Sequence, residues 1–302
     1  MIMKKATVIA LWIALALVVL GLIIGVFGLV NVGFDFSELN MSKIKTVTYE
    51  VEGPFAGISI EESVCDVYLK RSEDESCRVV CNEYEKTPHS VTVKDNVLVI
   101  EEQDQRKWYD HIGIFWGEVN VTVYLPQDTY EKLCIEMDTG DVEILDAFSF
   151  ATLEIDTDTG DVELDGLTAT DLSVSTDTGD VDMCDVTAKD LLISTDTGDM
   201  ELYSVRCESL CTESDTGEQE LEDVIVNSTA RLKSSTGDID LLSFDADEIF
   251  IKASTGDVFG ILLSEKKFDV DSSTGDIRVP QDGDGGLCEI RTSTGDIEMK
   301  IQ

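Results

Sequence analysis

Apolar and polar residues alternate along much of the chain after residue 45, which predicts β-strands with one face turned toward a core. In the second half this alternation recurs around a four-residue motif, Asp/Ser-Thr-Gly-Asp/Glu, which occurs nine times. Its glycines stand at positions 140, 160, 179, 198, 217, 237, 256, 275 and 295, so neighbouring copies lie 19 or 20 residues apart. This regular spacing predicts a β-solenoid over residues 131–302, in which each repeat forms one rung.

The apolar positions around each glycine predict how a rung is built. We expect a strand, the Thr-Gly-Asp corner, a second strand, a second corner and a short third segment. The predicted inward residues before the glycine are Leu133/Ile135, Leu153/Ile155, Leu172/Val174, Leu191/Ile193, Ile249/Ile251 and Phe268/Val270. Those just after it are Val142/Ile144, Val162/Leu164, Val181/Met183, Met200/Leu202, Ile239/Leu241 and Ile277/Val279, and those seven after it are Leu167, Val186, Val205, Val224, Phe244 and Leu263. At about 4.8 Å per rung, the stack would be about 40 Å long.

Residues 46–130 carry a weaker form of the same pattern, which indicates degenerate strands or an N-terminal cap. The segment "SVCDVYL" (63–69) aligns with "DTGDVEL" and places Cys65 at the glycine position. An aromatic loop, residues 101–118, interrupts the alternation and contains Trp108 and Trp116. We expect this loop either to plug the end of the solenoid or to contact a glycan, a protein or the membrane interface.

The N-terminus has the composition of a membrane anchor. After a short basic segment (1–5), residues 6–30 run for 25 positions without a charge, long enough to cross a bilayer as a helix. A cleaved signal peptide is the alternative, but its apolar region is usually shorter. Lys4 and Lys5 favour a cytoplasmic N-terminus, so we expect a single-pass membrane protein whose remainder, after a linker at 31–45, lies outside the cytoplasm.

The charge of the chain restricts its partners. With 22 Lys and Arg against 62 Asp and Glu, the formal net charge is −40, which argues against a nucleic-acid partner. Anionic lipid headgroups are disfavoured for the same reason. Cations, basic surfaces, neutral glycans and other proteins remain as partners.

The corner motif admits a structural and a metal-binding interpretation. Glycine suits a positive φ, and short polar side chains satisfy nearby backbone groups, so the motif can serve as a turn alone. However, the first five corners also carry aspartate two positions before the glycine, where the last four carry serine. Stacked carboxylates repel each other, and Ca²⁺ or diffuse counterions would offset this repulsion. The candidate cation ladder comprises Asp138, Asp141, Asp158, Asp161, Asp177, Asp180, Asp196, Asp199, Asp215 and Glu218.

No catalytic constellation stands out, and no cofactor is predicted. The two histidines, His89 and His111, both lie outside the regular repeats. A glycan-cleaving enzyme would need a site that breaks the repeat, and Asp-Thr-Gly in nine copies favours a fold element over an aspartic-protease triplet. The eight cysteines, which form no Cys-x-x-Cys motif, are interpreted as small apolar residues that stay reduced: Cys65, Cys77, Cys81, Cys134, Cys184, Cys207, Cys211 and Cys288.

These features together resemble a known family. An N-terminal apolar segment, degenerate strands, the strand "VNVTVYLP" and serial "STGDI/DTGDV" rungs are similar to the putative-adhesin family of bacterial β-strand-repeat proteins. The resemblance covers roughly residues 46–302. It implies a β-solenoid and a cell-envelope location, with some members tied to envelope-stress responses, and it implies no catalytic residues.

The function predicted from the sequence is a non-catalytic adhesion or interaction scaffold of the cell envelope. The alternative is an envelope-stress sensor or regulator that responds to cations or cationic peptides; a glycan-active enzyme is the third hypothesis. The last rung, "STGDIEMKIQ", ends the chain without a capping segment. We therefore expect an open strand edge there, blunted by Lys300, through which molecules could associate end to end.

Overall fold

The computed structural model describes residues 5–31, 43–108, 117–281 and 283–302. Most of the predicted linker and the centre of the aromatic loop, including His111 and Trp116, lie outside the described residues. Trp108 is exposed. Both interpretations of the loop therefore stay predictions.

The predicted membrane segment forms helix α1, Lys5–Asn31. Side chains of this helix are described for residues 12–23, 26 and 27. Among the described residues, no helix has the length and apolarity needed to cross a membrane. The membrane span thus stays a prediction.

Seven strands precede the regular repeats. They are β1 (Ile44–Val51), β2 (Gly57–Val64), β3 (Asp66–Arg71), β4 (Cys77–Tyr84), β5 (His89–Lys94), β6 (Val97–Glu102) and β7 (Asn120–Leu125). Strands β2 and β3 form a rung directly beneath the first regular one, and strands β6 and β7 form a rung beneath that. Strands β1, β4 and β5 pair antiparallel and cover this end.

In each regular rung, a first strand ends at the threonine of the corner motif and a second strand follows the motif. The first strands are β8 (Thr129–Thr139), β10 (Ser149–Thr159), β12 (Thr168–Thr178), β14 (Thr187–Thr197), β16 (Arg206–Thr216), β18 (Ile225–Thr236), β19 (Ile239–Thr255), β21 (Lys266–Thr274) and β23 (Gly286–Thr294). The second strands are β9 (Val142–Ile144), β11 (Val162–Asp165), β13 (Val181–Cys184), β15 (Met200–Tyr203), β17 (Gln219–Glu222), β20 (Val258–Leu262), β22 (Ile277–Arg278) and β24 (Ile297–Ile301). Strand β19 also supplies the second strand of the sixth rung.

The first strands stack in parallel register to form one sheet, and the second strands form another. Leu153, for example, pairs with Leu133 on one side and Leu172 on the other. The predicted β-solenoid is therefore confirmed. The short third segment is not a separate strand, because residues such as Thr168 and Ala169 already belong to the next first strand.

The core fills the space between the two sheets, and the predicted inward residues line it. Most of them are fully buried, but the eighth rung is an exception: Phe268 and Val270 are only half-buried and Ile277 is 42% exposed. Leu263, predicted to point inward, is 39% exposed. These residues lie at or next to one end of the stack, where no further rung of the described chain covers them.

That end is not formed by the last rung of the sequence. Strand β23 lies between β19 and β21, and strand β24 lies between β20 and β22. The ninth rung is thus inserted between the seventh and the eighth. Among the described strands β21 and β22 are outermost, so the expectation of an open last rung was wrong for the residues up to Glu298. Met299, Lys300 and Ile301 pair with β20 alone.

Candidate functional site

The corner glycines are required by the close approach of neighbouring rungs. Gly160 has a φ of 148°, and a Cβ there would lie 1.9 Å from the carbonyl oxygen of Gly140. The same contact recurs at every regular corner, at 1.9–2.1 Å. A side chain cannot enter this space, so glycine at the corners is explained by packing alone.

The aspartate after each glycine bonds to the adjacent rung. The Oδ1 of Asp141 accepts the backbone N–H of Asp161 at 3.0 Å. The same bond links Asp66 to Asp141, Asp161 to Asp180, Asp180 to Asp199, Asp199 to Glu218, Asp238 to Asp257, Asp257 to Asp296 and Asp296 to Asp276, at 2.7–3.1 Å. Among the described residues the series breaks after Glu218, whose longer side chain replaces aspartate. Four of the ten residues of the predicted cation ladder, Asp141, Asp161, Asp180 and Asp199, therefore have a structural role.

The aspartates before the glycine behave differently. Asp138, Asp158, Asp177, Asp196 and Asp215 are all exposed and stand in register, one per rung. Among the described residues, one side-chain hydrogen bond joins this column to the next rung: the Ser235 hydroxyl donates to Asp215 at 3.0 Å. Within the described chain, no ladder residue joins a group of donor atoms close enough to share one ion. The cation ladder stays a prediction.

A third acidic column lies on the sheet of second strands, three positions after the glycine. Its members are paired in register: Glu143, Glu163, Asp182, Glu201, Glu220 and Asp240. Partial burial and then the neighbouring Glu201 carboxylate raise the pKa of Asp182. In the sequence this column corresponds to the outward positions of the period-two pattern after each glycine.

Basic residues lie together on the sheet of first strands near the C-terminal end of the stack. Lys233, Lys252 and Arg291 pair in register, and the Arg231 guanidinium lies 5.1 Å from the ring centre of Phe250. They line an open groove of about 350 Å³, whose lining also includes Glu213, paired with Lys233, and Glu289, 3.5 Å from the Arg291 guanidinium. The overall charge did not predict a basic surface, yet four of the 22 basic residues form one here.

The structure also contains a buried polar cluster that the sequence did not reveal. His89 begins β5 and lies between the carboxylates of Glu62 and Glu83. Burial lowers the pKa of His89, but contacts with Cys65, Cys81 and Glu62 outweigh this effect and raise it. The signal lay in the alignment of "SVCDVYL", which places Glu62 at an inward position that holds Thr157 in a regular rung.

All eight cysteines are unpaired in the structure. Burial raises the pKa of the Cys65, Cys77, Cys207 and Cys288 thiols to about 12, so without a metal ion these four are protonated at neutral pH. They pack as small apolar residues, in agreement with the sequence interpretation.

Two parallel sheets, glycine corners and in-register charged columns define the class of the protein, a two-sheet β-solenoid. More specifically, the chain belongs to the Toastrack DUF4097 family, whose model matches residues 55–302. A comparison with curated proteins finds no significant match.

Three solved structures are similar to this chain, and one of them has a TM-score above 0.5. A putative adhesin from Bacteroides fragilis is 18% identical with a TM-score of 0.51, over 85% of this chain and 97% of that one. A putative adhesin from Parabacteroides distasonis is 14% identical with a TM-score of 0.45, over 84% of this chain and 98% of that one. A putative lipid binding protein from the same organism is 14% identical with a TM-score of 0.46, over 83% and 96%. At 18% identity, the likeness to the Bacteroides fragilis structure supports the fold alone.

Proposed function

We propose that the protein is a non-catalytic adhesion or interaction scaffold of the bacterial cell envelope. The observation that carries this proposal is the separation of charge along a stack of parallel strands. Five exposed aspartates follow one edge of the first five rungs, and a basic groove lies on the next rungs. Repeated charges at about 4.8 Å spacing suit extended, multivalent contacts with a partner of matching charge.

The comparison with solved structures is consistent with this proposal. Proteins of the same fold carry the names putative adhesin and putative lipid binding protein, and neither name describes a reaction. The acidic edge would bind basic protein surfaces. The groove at Arg231, Lys233, Lys252 and Arg291 would bind an acidic or anionic partner, a class that net charge alone disfavours.

The scaffold is tested with the five-serine variant, in which Asp138, Asp158, Asp177, Asp196 and Asp215 are all replaced by serine. Serine stands at this position in the last four corners, so the fold should be kept. Binding to isolated envelopes is measured with the purified full chain. We expect the variant to lose most of the binding at low salt; equal binding by both proteins would reject a role for the acidic edge.

A matched experiment addresses the basic groove. Arg231→Glu combined with Lys252→Glu reverses the charge of two exposed positions on the sheet surface. We expect this double variant to lose binding to anionic partners while it keeps the binding that depends on the acidic edge. If neither variant alters envelope binding, the scaffold proposal fails.

Anchorage in the cell membrane is part of the proposal and rests on the sequence. Residues 6–30 carry no charge, and Lys4 and Lys5 favour a cytoplasmic N-terminus. Fractionation of cells and protease treatment of spheroplasts test both points. We expect the chain in the membrane fraction, with residues 46–302 digested from outside; recovery in the soluble cytoplasm would contradict the anchor.

A second candidate function is favoured by the exposed column itself. Five carboxylates held one rung apart attract cations or cationic peptides, as a sensor of envelope stress would require. Calorimetric titration of the full chain with Ca²⁺ and with a cationic peptide tests this idea. We expect the full chain to bind the ion or the peptide and the five-serine variant to lose this binding. If the titration gives no heat and the Tm does not shift at millimolar ion, the sensor hypothesis is rejected.

A further inference from the structure

Five potential metal ligands meet inside the N-terminal end of the solenoid. Glu62 lies on β2, Cys65 at the following corner, Cys81 and Glu83 on β4, and His89 at the start of β5. All five residues are buried. They come from three separate strands and from the corner between β2 and β3, so the fold rather than local sequence brings them together.

The imidazole of His89 lies at the centre of this cluster. Its Nε2 is 3.2 Å from Glu62 Oε2, and its Nδ1 is 2.8 Å from Glu83 Oε2. Ligand atoms of Glu62, Cys65 and His89 all lie within 4.8 Å of one another. The same holds for Cys81, Glu83 and His89, so one thiol from the β2–β3 corner and one from β4 lie close to the ring.

Two carboxylate oxygens of the cluster, Glu62 Oε1 and Glu83 Oε1, accept no hydrogen bond, and only the second has an ion-pair partner. The side chains of Glu62 and His89 are 0% and 1% exposed, and Glu62 Oε1 accepts no hydrogen bond. A buried carboxylate oxygen in this state costs free energy that a cation ligated there would recover. Glu83, in contrast, is held by Lys45 at 3.1 Å and by the backbone N–H of His89 at 2.7 Å.

We propose that Glu62, Cys65 and His89 bind a divalent transition-metal ion, with the ligand chemistry of Zn²⁺, through one carboxylate oxygen, the thiolate and Nε2. Thiolate and imidazole ligands favour zinc over calcium or magnesium. Donor atoms around a four-coordinate zinc ion lie roughly 3–4 Å apart, so the three side chains need to move by only about an ångström. Cys81 supplies a further thiol beside the same ring.

Glu83 is a positioning residue in this arrangement. It accepts the Nδ1 proton of His89 and thereby leaves Nε2 free to face the ion. A carboxylate hydrogen-bonded to the second nitrogen of a metal-binding histidine is a recurrent arrangement, and its loss weakens metal binding by about 10–100-fold.

The repeat changes at this corner in a way that the site explains. Every regular rung has glycine where this rung has Cys65. The rung on the other side of Cys65, formed by β6 and β7, has residues 103–119 in place of a Thr-Gly-Asp corner. Cys65 therefore departs from the glycine that close rung contacts require elsewhere, and its thiol is available as a ligand.

The proposal is tested by metal analysis of the full chain purified under reducing conditions. The protein is loaded with Zn²⁺ in excess Mg²⁺, which occupies exposed carboxylates, and then dialysed. Elemental analysis should find one zinc ion per chain. Replacement by Co²⁺ should give a thiolate-to-cobalt charge-transfer band in the near ultraviolet, which exposed carboxylates cannot produce.

Variants locate the ion. Cys65→Ser and His89→Gln should lose the zinc and the charge-transfer band, and Glu83→Gln should weaken binding by about 10–100-fold with the band retained. Cys184→Ser is the matched control, because Cys184 lies in a surface group with Asp165 and Asp185 and should have no effect. Wild-type protein that binds no zinc and shows no band, or loss of the band in Cys184→Ser alone, would overturn the proposal whether or not the other variants fold.

Discussion

Two residues of the corner motif are fixed by the rungs on either side. At Gly179 a Cβ would lie 2.0 Å from the carbonyl oxygen of Gly160, while the carboxylate of Asp180 accepts the backbone N–H of Asp199 at 2.8 Å. Glycine therefore permits one rung to approach, and aspartate bonds to the next. The residue two positions before the glycine takes no part in this contact, which is why serine can replace aspartate there.

Gly179→Ala should destabilise the protein by about 3 kcal/mol or more, because the methyl group must displace the backbone of the neighbouring rung. Urea unfolding followed by circular dichroism measures the change. Gly166→Ala is the control: its φ is 68°, but a Cβ there meets no atom within 4 Å, so only the backbone strain of about 1–2 kcal/mol applies. Equal losses in both variants would show that φ rather than the contact requires glycine.

Asp182 is expected to oppose folding at neutral pH. Its pKa is raised by burial and by the carboxylates around it, so the folded state binds the proton more tightly than the unfolded state. The resulting penalty is present above the folded pKa and is relieved as the pH falls through it. Asp182→Asn should stabilise the protein at pH 7 by about 0.5 kcal/mol, a gain that solvent screening keeps small and that disappears at acid pH.

Asp190 provides a control of opposite sign. Bonds from Ser209 and then Lys189 lower its pKa, so its contribution is favourable above its ordinary pKa and is lost as the pH falls. Asp190→Asn should therefore lose stability at pH 7 and approach the wild type in acid. Thermal unfolding of Asp182→Asn and Asp190→Asn from pH 7 to acid pH measures how the stability of each variant changes relative to the wild type. If both variants changed in the same direction, the opposite pKa shifts of Asp182 and Asp190 would be contradicted.

The residue scale also shows what the sequence could not predict. Rung positions follow from a period of two around a repeated glycine, so Val162 and Leu164 were placed inward correctly. His89 was not recognised as a site residue, because its partners Glu62 and Glu83 lie on other strands and no local motif links the three. A charged residue at an inward position was the available signal, since charge is rarely buried without a partner.

At the scale of the element, the two ends of the solenoid have rungs out of sequence order. The ninth rung lies between the seventh and the eighth, and the β2–β3 rung lies between the β6–β7 rung and the first regular one. Each rung offers similar strand edges and similar inward residues to its neighbours. The hydrophobic pattern therefore predicts that rungs stack, but it does not distinguish which rung stacks on which.

Ile277 and Ile297 test this order, because both stand two positions after a corner glycine. In sequence order, Ile297 would belong to the exposed last rung; in the structure it is fully buried, whereas Ile277 is 42% exposed. Ile297→Ala should cost about 3 kcal/mol and Ile277→Ala less than about 1 kcal/mol. Chemical unfolding of the two variants compares them, and a larger loss for Ile277→Ala would contradict the inserted rung.

At the scale of the molecule, the net charge of −40 is distributed in columns rather than evenly. The exposed aspartates before the glycine occupy the first five rungs, and Arg231, Lys233, Lys252 and Arg291 come together on the sheet of first strands from the sixth rung onward. Composition predicts the excess of acid correctly. It does not predict the basic groove, because a total carries no information about position.

The repulsion within the acidic columns should make stability depend on salt. We expect the Tm of the full chain to rise with NaCl, since added ions screen exposed charges. The five-serine variant should have a higher Tm at low salt and a smaller rise. Changing Ser235, Ser254, Ser273 and Ser293 together to aspartate is the reciprocal control and should give the opposite shifts, as measured by calorimetry; identical salt responses in all three proteins would reject the repulsion.

The exchanged rungs at both ends have a consequence for how such a chain can change in length. A duplicated segment can join the stack only where each rung lies between its sequence neighbours, as in rungs 2–6. Duplication within an end would separate strands that must meet across the inserted rung. Growth of the gene by tandem copying is therefore confined to the middle of the array, and each added copy would move the buried His89 cluster and the basic groove apart by one more strand spacing of about 4.8 Å.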